Sequence, residues 1–154
     1  ILVDGSGSME GSNTYRAGGV VMNRLRAVRR GEAEVYVRFF DNSVWEDEFH
    51  AWDAASAKKC LSAVRNIDYH GGMTAIDHCA RQATERIDAI LAEGDTLAKP
   101  ELFVVTDGQD GVRLTLNDLR GTTMHAFVLG NNSQLVTIAR QSGGVGIETG
   151  EVYD

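Results

Sequence analysis

Among 154 residues there is one proline and there are two cysteines. Scarce proline leaves long helices uninterrupted, and two cysteines exclude a scaffold stapled by disulfides, which needs several pairs in a short chain. The spacing of those cysteines says more. Cys60 shares a helical face with Ala57, Val64 and Ile67, and Cys79 shares another with Ile76, Ala83, Ile87 and Ile90. Such positions are core positions, so both read as inert buried thiols in a reducing compartment. Long apolar runs are also missing, none approaching the ~20 residues of a membrane-spanning helix. Basic residues are in deficit, 15 against 22 acidic ones, giving a net charge of −7. That balance opposes loose binding to nucleic acid or to an anionic membrane, and it suits a cation.

What is present is enough apolar material, 43% of the residues, for one core of ordinary size. No charged-then-apolar leader precedes Ile1, and the chain opens inside its first strand. It therefore reads as a single domain, residues 1–154, excised or trimmed from a longer chain, with a cytoplasmic location as the expectation.

Hydrophobic periodicity organises the chain. Ile1 to Val3 form a short strand ending in a turn, and Ala17, Val21, Leu25 and Val28 mark a helix over about 12–30, closed by Gly31. Its arginines, Arg24, Arg26, Arg29 and Arg30, complement the helix dipole and solvate its last turns. AEVYVRFF, a turn at Asp41-Asn42 and SVWEDEFH predict a hairpin at a sheet edge, with Trp45 and Trp52 as packing residues. Two amphipathic helices follow, about 53–65 and 74–93, around the loop NIDYHGGM. ELFVVTD and TMHAFVL read as buried parallel strands, joined through a short helix near Leu116 to Leu119. A helix from about Ser133 to Gln141 and a strand near Val145 to Thr149 complete the pattern. The class is α/β: a doubly wound, Rossmann-like, mainly parallel sheet with one antiparallel edge strand and helices on both faces.

In such sheets ligands sit beyond the carboxyl ends of the strands. Three loops meet there: DGSGSM at 4–9, HGGMT at 70–74 and TDGQDG at 106–111. They offer Asp4, Ser6, Ser8, Thr74 and Asp107, two carboxylates and three hydroxyls. Oxygen donors without thiolate or imidazole suit Mg²⁺ or Mn²⁺, and less well Ca²⁺. Gly5, Gly7, Gly71, Gly72 and Gly108 allow tight turns that let short side chains converge. Asp110 stands at the rim, equally consistent with a turn role. Met9, His70 and Gln109 read as loop residues without a special role, and His50, His78 and His125 show no paired metal spacing.

The run D-G-S-G-S at 4–8, Thr74 in GGMT and Asp107 in TDG resemble the metal-ion-dependent adhesion site of the von Willebrand factor A (VWA) family, in matching order over most of the chain. The resemblance implies that Ser6, Ser8 and Thr74 touch a divalent ion, with Asp4 and Asp107 bound directly or through water. It implies a non-catalytic protein-interaction module in which a partner's Asp or Glu carboxylate completes the coordination. An adaptor role in a multiprotein assembly, for instance beside an AAA+ ATPase, is the further implication. Two departures stand out: many members carry another helix after the last strand where this chain reads GEVYD, and the chain is short. The first argues against an integrin-like allosteric relay, and the second suggests a compact microbial or intracellular member.

Other chemistries compete for the same loops. Gly5, Gly7 and Gly11 with Asp41 after the second strand sketch a dinucleotide fingerprint. That reading leaves Ser8, Thr74 and Asp107 without a role, and it places Asp4 against a pyrophosphate. A Mg²⁺-dependent phosphoryl transfer through Asp4 lacks a second carboxylate two residues on and a convincing lysine. A hydrolase elbow of G-x-S-x-G type with a placed base is absent.

Overall fold

The computed structural model describes residues 1–69, 71–94, 99–108 and 110–149; His70, Gln109 and the GEVYD segment of the sequence reading lie outside them. The elements follow in order: β1 (Leu2–Asp4), a 3-10 turn (Gly7–Met9), α1 (Ser12–Arg29), β2 (Val35–Phe40), β3 (Phe49–Ala51), α2 (Ala54–Arg65), α3 (Ile76–Glu93), β4 (Glu101–Thr106), a 3-10 turn (Leu116–Leu119), β5 (Thr123–Val128), α4 (Ser133–Gln141) and β6 (Gly146–Glu148). The six strands form one sheet in the order β3-β2-β1-β4-β5-β6. Among the ladders of the described strands, β2–β3 alone is antiparallel, with Tyr36 opposite His50. The expected mainly parallel sheet with an antiparallel edge is thus observed.

Alternation along each strand assigns its side chains to two separate cores. Val3, Val37, Phe39 and Val105 face α1 and α2, meeting Ala17, Val21, Leu25 and Val28 of the first helix and Ala57, Cys60 and Val64 of the second. Leu2, Phe40, Val104, Met124 and Ala126 face the other way, against Ile76, Cys79 and Ala80 of α3 and Leu135, Ile138 and Ala139 of α4. The two cysteines sit in different cores, both free. Burial pushes the Cys60 thiol up to about 11 and the Cys79 thiol up to about 12, which keeps both protonated and unreactive at neutral pH.

Three local departures from the sequence reading have physical causes. SVWEDEFH does not pair along its length: Val44 makes an isolated bridge with Phe40, and the ladder resumes only at Phe49. Side chains hold the intervening loop instead, Trp45 Nε1 donating to Asp41 Oδ1 at 3.1 Å and Arg86 gripping Glu48 through two hydrogen bonds of 3.0 and 2.9 Å. Met9 is no loop ornament, since it is fully buried in the core beside Val3 and Ala17. Trp45 packs against Phe39 as expected, whereas Trp52 is exposed, with its ring beside His50.

Phe39 is the hub of the first core, in ring contact with Trp45, Phe49 and Tyr69. Removing a buried aromatic ring forfeits transfer free energy and leaves a cavity. Phe39→Ala is expected to lower the unfolding free energy by about 3–5 kcal/mol, read from urea denaturation.

Candidate metal centre

The strand order reverses between β1 and β4, because the chain leaves β1 toward β2 on one side and leaves β4 toward β5 on the other. A crevice forms beyond the carboxyl ends of two such strands. Leu2 pairs with Val104 and Val3 with Val105, so the same register sets Asp4 beside Thr106. Both side chains are fully buried, and Thr106 Oγ1 donates to Asp4 Oδ2 at 2.7 Å. The other carboxylate oxygen, Oδ1, accepts the Ser6 N–H at 2.9 Å.

From this base the polar side chains rise toward solvent. Ser6 Oγ lies 3.0 Å from Ser8 Oγ, and Ser8 Oγ donates to Asp107 Oδ2. Ser6 and Asp107 are buried while Ser8 is exposed, so the chain of oxygens opens at the surface. Four of the five sequence-nominated residues, Asp4, Ser6, Ser8 and Asp107, therefore belong to one hydrogen-bonded series. The fifth, Thr74, is half-buried and comes to the same edge through its backbone. Gly71 N–H donates to Gly5 C=O at 3.0 Å, and Gly7 N–H donates to Gly71 C=O at 3.1 Å. On its other side, Ala75 N–H reaches Asp41 C=O at 2.9 Å. Thr74 lies between these tethers and outside α3, which begins two residues later at Ile76.

The remaining loop is held from below. Asp110 serves the fold: its Oδ2 accepts the Ile76 N–H at 2.9 Å and so caps α3, whose preceding residue, Ala75, offers no side-chain cap. Buried Asn132 donates to Gly108 C=O at 3.2 Å and to Asp110 C=O at 2.9 Å. Gly108 adopts φ 80°, and a Cβ there would lie 2.8 Å from Val128 Cγ1; only glycine fits. A Cβ on Gly71 would meet Asp41 Cβ at 2.9 Å and Gly5 O at 3.0 Å, which explains why the two loops can be stitched so closely. Gly7 and Gly72 have no such constraint, with open space where a Cβ would stand.

The sequence reading passed over Thr106, Asn132 and the capping use of Asp110. Signals existed for Thr106, because the last inward-facing position of a buried strand rarely carries a hydroxyl without a partner, and for Asn132, an N-cap residue type directly before α4 whose Oδ1 accepts the Leu135 N–H at 3.1 Å.

Electrostatically the base of the site is strained toward neutrality. Burial holds the Asp4 carboxyl above the usual carboxylate range, hydrogen bonds from Ser6 and Thr106 pull it back, and the Asp107 charge pushes it up again. A bound cation would act in the opposite direction and favour the ionised carboxyl. Its donors would be two carboxylates and three hydroxyls, all hard oxygen ligands. Among the described residues no three His, Cys, Asp or Glu side chains gather as a metal cluster.

The arrangement disfavours the competing chemistries. Both oxygens of Asp4 are occupied and inaccessible, which is wrong for a nucleophile. The Ser6 N–H, a donor that a phosphate would need, is spent on Asp4. Asp41, the ribose-binding candidate, accepts from Trp45. His50 and His125 pair with Glu34 and Glu101, at 3.1 and 3.0 Å, away from the serines.

Comparison with known proteins adds three kinds of finding. The family model for the von Willebrand factor type A domain matches residues 1–146. No curated protein sequence matches the chain. Similar solved structures include a von Willebrand factor type A protein from Catenulispora acidiphila, 21% identical with a TM-score of 0.68, covering 100% of this chain and 38% of that one. An aerotolerance-related membrane protein from Bacteroides fragilis is 16% identical, with a TM-score of 0.69 and coverage of 97% and 89%. Proximal thread matrix protein 1 from the mussel byssus, solved with a zinc-occupied MIDAS motif, is 16% identical, with a TM-score of 0.70 and coverage of 96% and 42%. At these identities the likeness is one of fold. Among the described residues no helix is long and apolar enough to cross a membrane.

Replacing Thr106 by Val keeps the shape and removes the donor to Asp4, leaving a buried carboxylate oxygen unpaired. Thr106→Val is expected to cost about 1–3 kcal/mol of stability, measured by denaturation in EDTA.

Proposed function

We propose that this chain, which belongs to the von Willebrand factor type A family, is a non-catalytic interaction module that captures a partner's Asp or Glu carboxylate at a divalent cation. VWA domains are typically protein-interaction modules; the specific site and its ion are our reading. The observation that carries it is the series Asp4, Ser6, Ser8, Asp107, which runs from a fully buried carboxylate to an exposed hydroxyl at the switch point of the sheet.

Ser6, Ser8 and Thr74 would contact the cation, with Asp4 and Asp107 neutralising it directly or through water. Bound there, the ion supplies a Lewis-acidic centre open to an outside carboxylate oxygen. The protein's own residues do the remaining work. Thr106 and the Ser6 N–H fix the orientation of Asp4. The Gly71 tethers hold the Thr74 loop against the first loop, and Asn132 holds the loop of Asp107. Mg²⁺, or Mn²⁺, fits an oxygen-only donor set better than zinc, which favours nitrogen and sulfur. The zinc seen in the mussel protein's motif supports metal capture at such a motif without fixing the ion here.

An adaptor in a multiprotein assembly, for instance one built on an AAA+ ATPase, is the role we assign. Location in a reducing cytoplasm accords with two free buried thiols. The test is affinity capture in Mg²⁺ and in EDTA, using wild type and an Asp4→Ala variant matched for fold by circular dichroism. Capture should fall by more than about tenfold in EDTA and in the variant. A partner retained equally by both would overturn the reading.

A further inference from the structure

Two glycines at the mouth of the site have no reason in the fold to be glycine. Gly7 and Gly72 are exposed, neither has a positive φ, and a Cβ on either would meet nothing within 4 Å. Each adjoins a nominated ligand, Gly7 between Ser6 and Ser8 and Gly72 two residues before Thr74. Their effect is to leave the ground bare where an incoming group would arrive.

Met73, next to Gly72, and Tyr15, near the start of α1, are the two most exposed large apolar side chains among the described residues. Met73, adjacent to Thr74, is 88% exposed, and Tyr15, in the first turns of α1, is 84% exposed. Tyr15 belongs to the same end of the molecule as Ser8. Its neighbours Asn13 and Thr14 bond back to the site loop, Asn13 Nδ2 to Ser8 O at 3.5 Å and Thr14 Oγ1 to Met9 O at 2.8 Å. A lone exposed apolar residue needs no explanation. Two of them, one on the loop of Thr74 and one on the helix start tied to the loop of Ser8, are of the residue types enriched at interfaces.

Charge points the same way. The chain carries −7, so its net charge does not favour an acidic partner at long range, and short-range contacts beside the acid would add to what a cation supplies. We propose that the partner presents its carboxylate on an extended segment with large apolar side chains next to the acid, one seated against Met73 and one against Tyr15, while Gly7 and Gly72 let the backbone of that segment approach. This rests on the metal-site reading given above.

The probes are two blocked peptides in which Asp is the only carboxylate, acetyl-Gly-Gly-Asp-Gly-Gly-amide and acetyl-Gly-Phe-Asp-Leu-Gly-amide. They are titrated by NMR into the ¹⁵N-labelled protein with saturating Mg²⁺, alongside a separate Mn²⁺ titration and a melting curve for each variant. The apolar-flanked peptide should bind about tenfold more tightly than the glycine peptide. Tyr15→Ser combined with Met73→Ser should erase that difference while leaving Mn²⁺ affinity and melting temperature unchanged. Gly72→Val should weaken both peptides with the same two controls intact. Equal affinity of the two peptides for wild type, or an advantage that survives in the double variant, overturns the inference. If Mn²⁺ binds but the flanks make no difference, only this inference fails. If wild type binds no Mn²⁺, the metal-site reading fails and takes this one with it.

Discussion

Everything at this edge of the sheet is arranged around one buried carboxyl group, that of Asp4. Asp4 ends the central strand at the place where the sheet winds outward in both directions, and no part of it reaches solvent. An isolated carboxylate in that position is costly, and hydrogen bonds from Thr106 and the Ser6 amide offset only part of the cost. A second carboxylate, Asp107, adds to the burden. In the proposed reading a bound cation offsets that cost.

The surrounding loops make sense as devices for keeping that place open and shaped. Gly71 lies so close to Gly5 and Asp41 that a side chain would push the loops apart. Asn132, buried at the start of α4, spends its amide on the carbonyls of Gly108 and Asp110. Asp110 in turn caps α3. Rigid elements on both faces of the sheet therefore meet at the site through a few backbone and side-chain bonds, so that the nominated hydroxyls stand on fixed supports rather than on free loops.

The architecture was legible because periodicities of 2 and 3.6 are carried by many residues at once: Val21, Leu25 and Val28 mark α1, and LFVV marks a strand covered on both faces. The hairpin was overextended because Val44, Trp45 and Phe49 are residue types that suit a strand, yet Asp41, Arg38 and Arg86 find better partners in the loop than a ladder offers. Asp4, Ser6, Ser8 and Asp107 were legible as a pattern of residue types in order along the chain, and their mutual hydrogen bonds join them in space. Thr106 and Asn132 carried local signals, a hydroxyl at the end of a buried strand and an Asn before a helix, but what each of them holds, Asp4 across the strand register and the carbonyls of Gly108 and Asp110, is set in three dimensions. Met9 was misjudged for a similar reason. It follows an exposed serine in sequence, but the 3-10 turn at Gly7–Met9 rotates it into the core.

The most direct measurement is anomalous diffraction from a crystal of this protein soaked in Mn²⁺. The account predicts a single strong peak within bonding distance of the Ser6, Ser8 and Thr74 hydroxyl oxygens, with Asp4 and Asp107 around it. A peak elsewhere, or none at this place with the five oxygens turned from a shared centre, would contradict it.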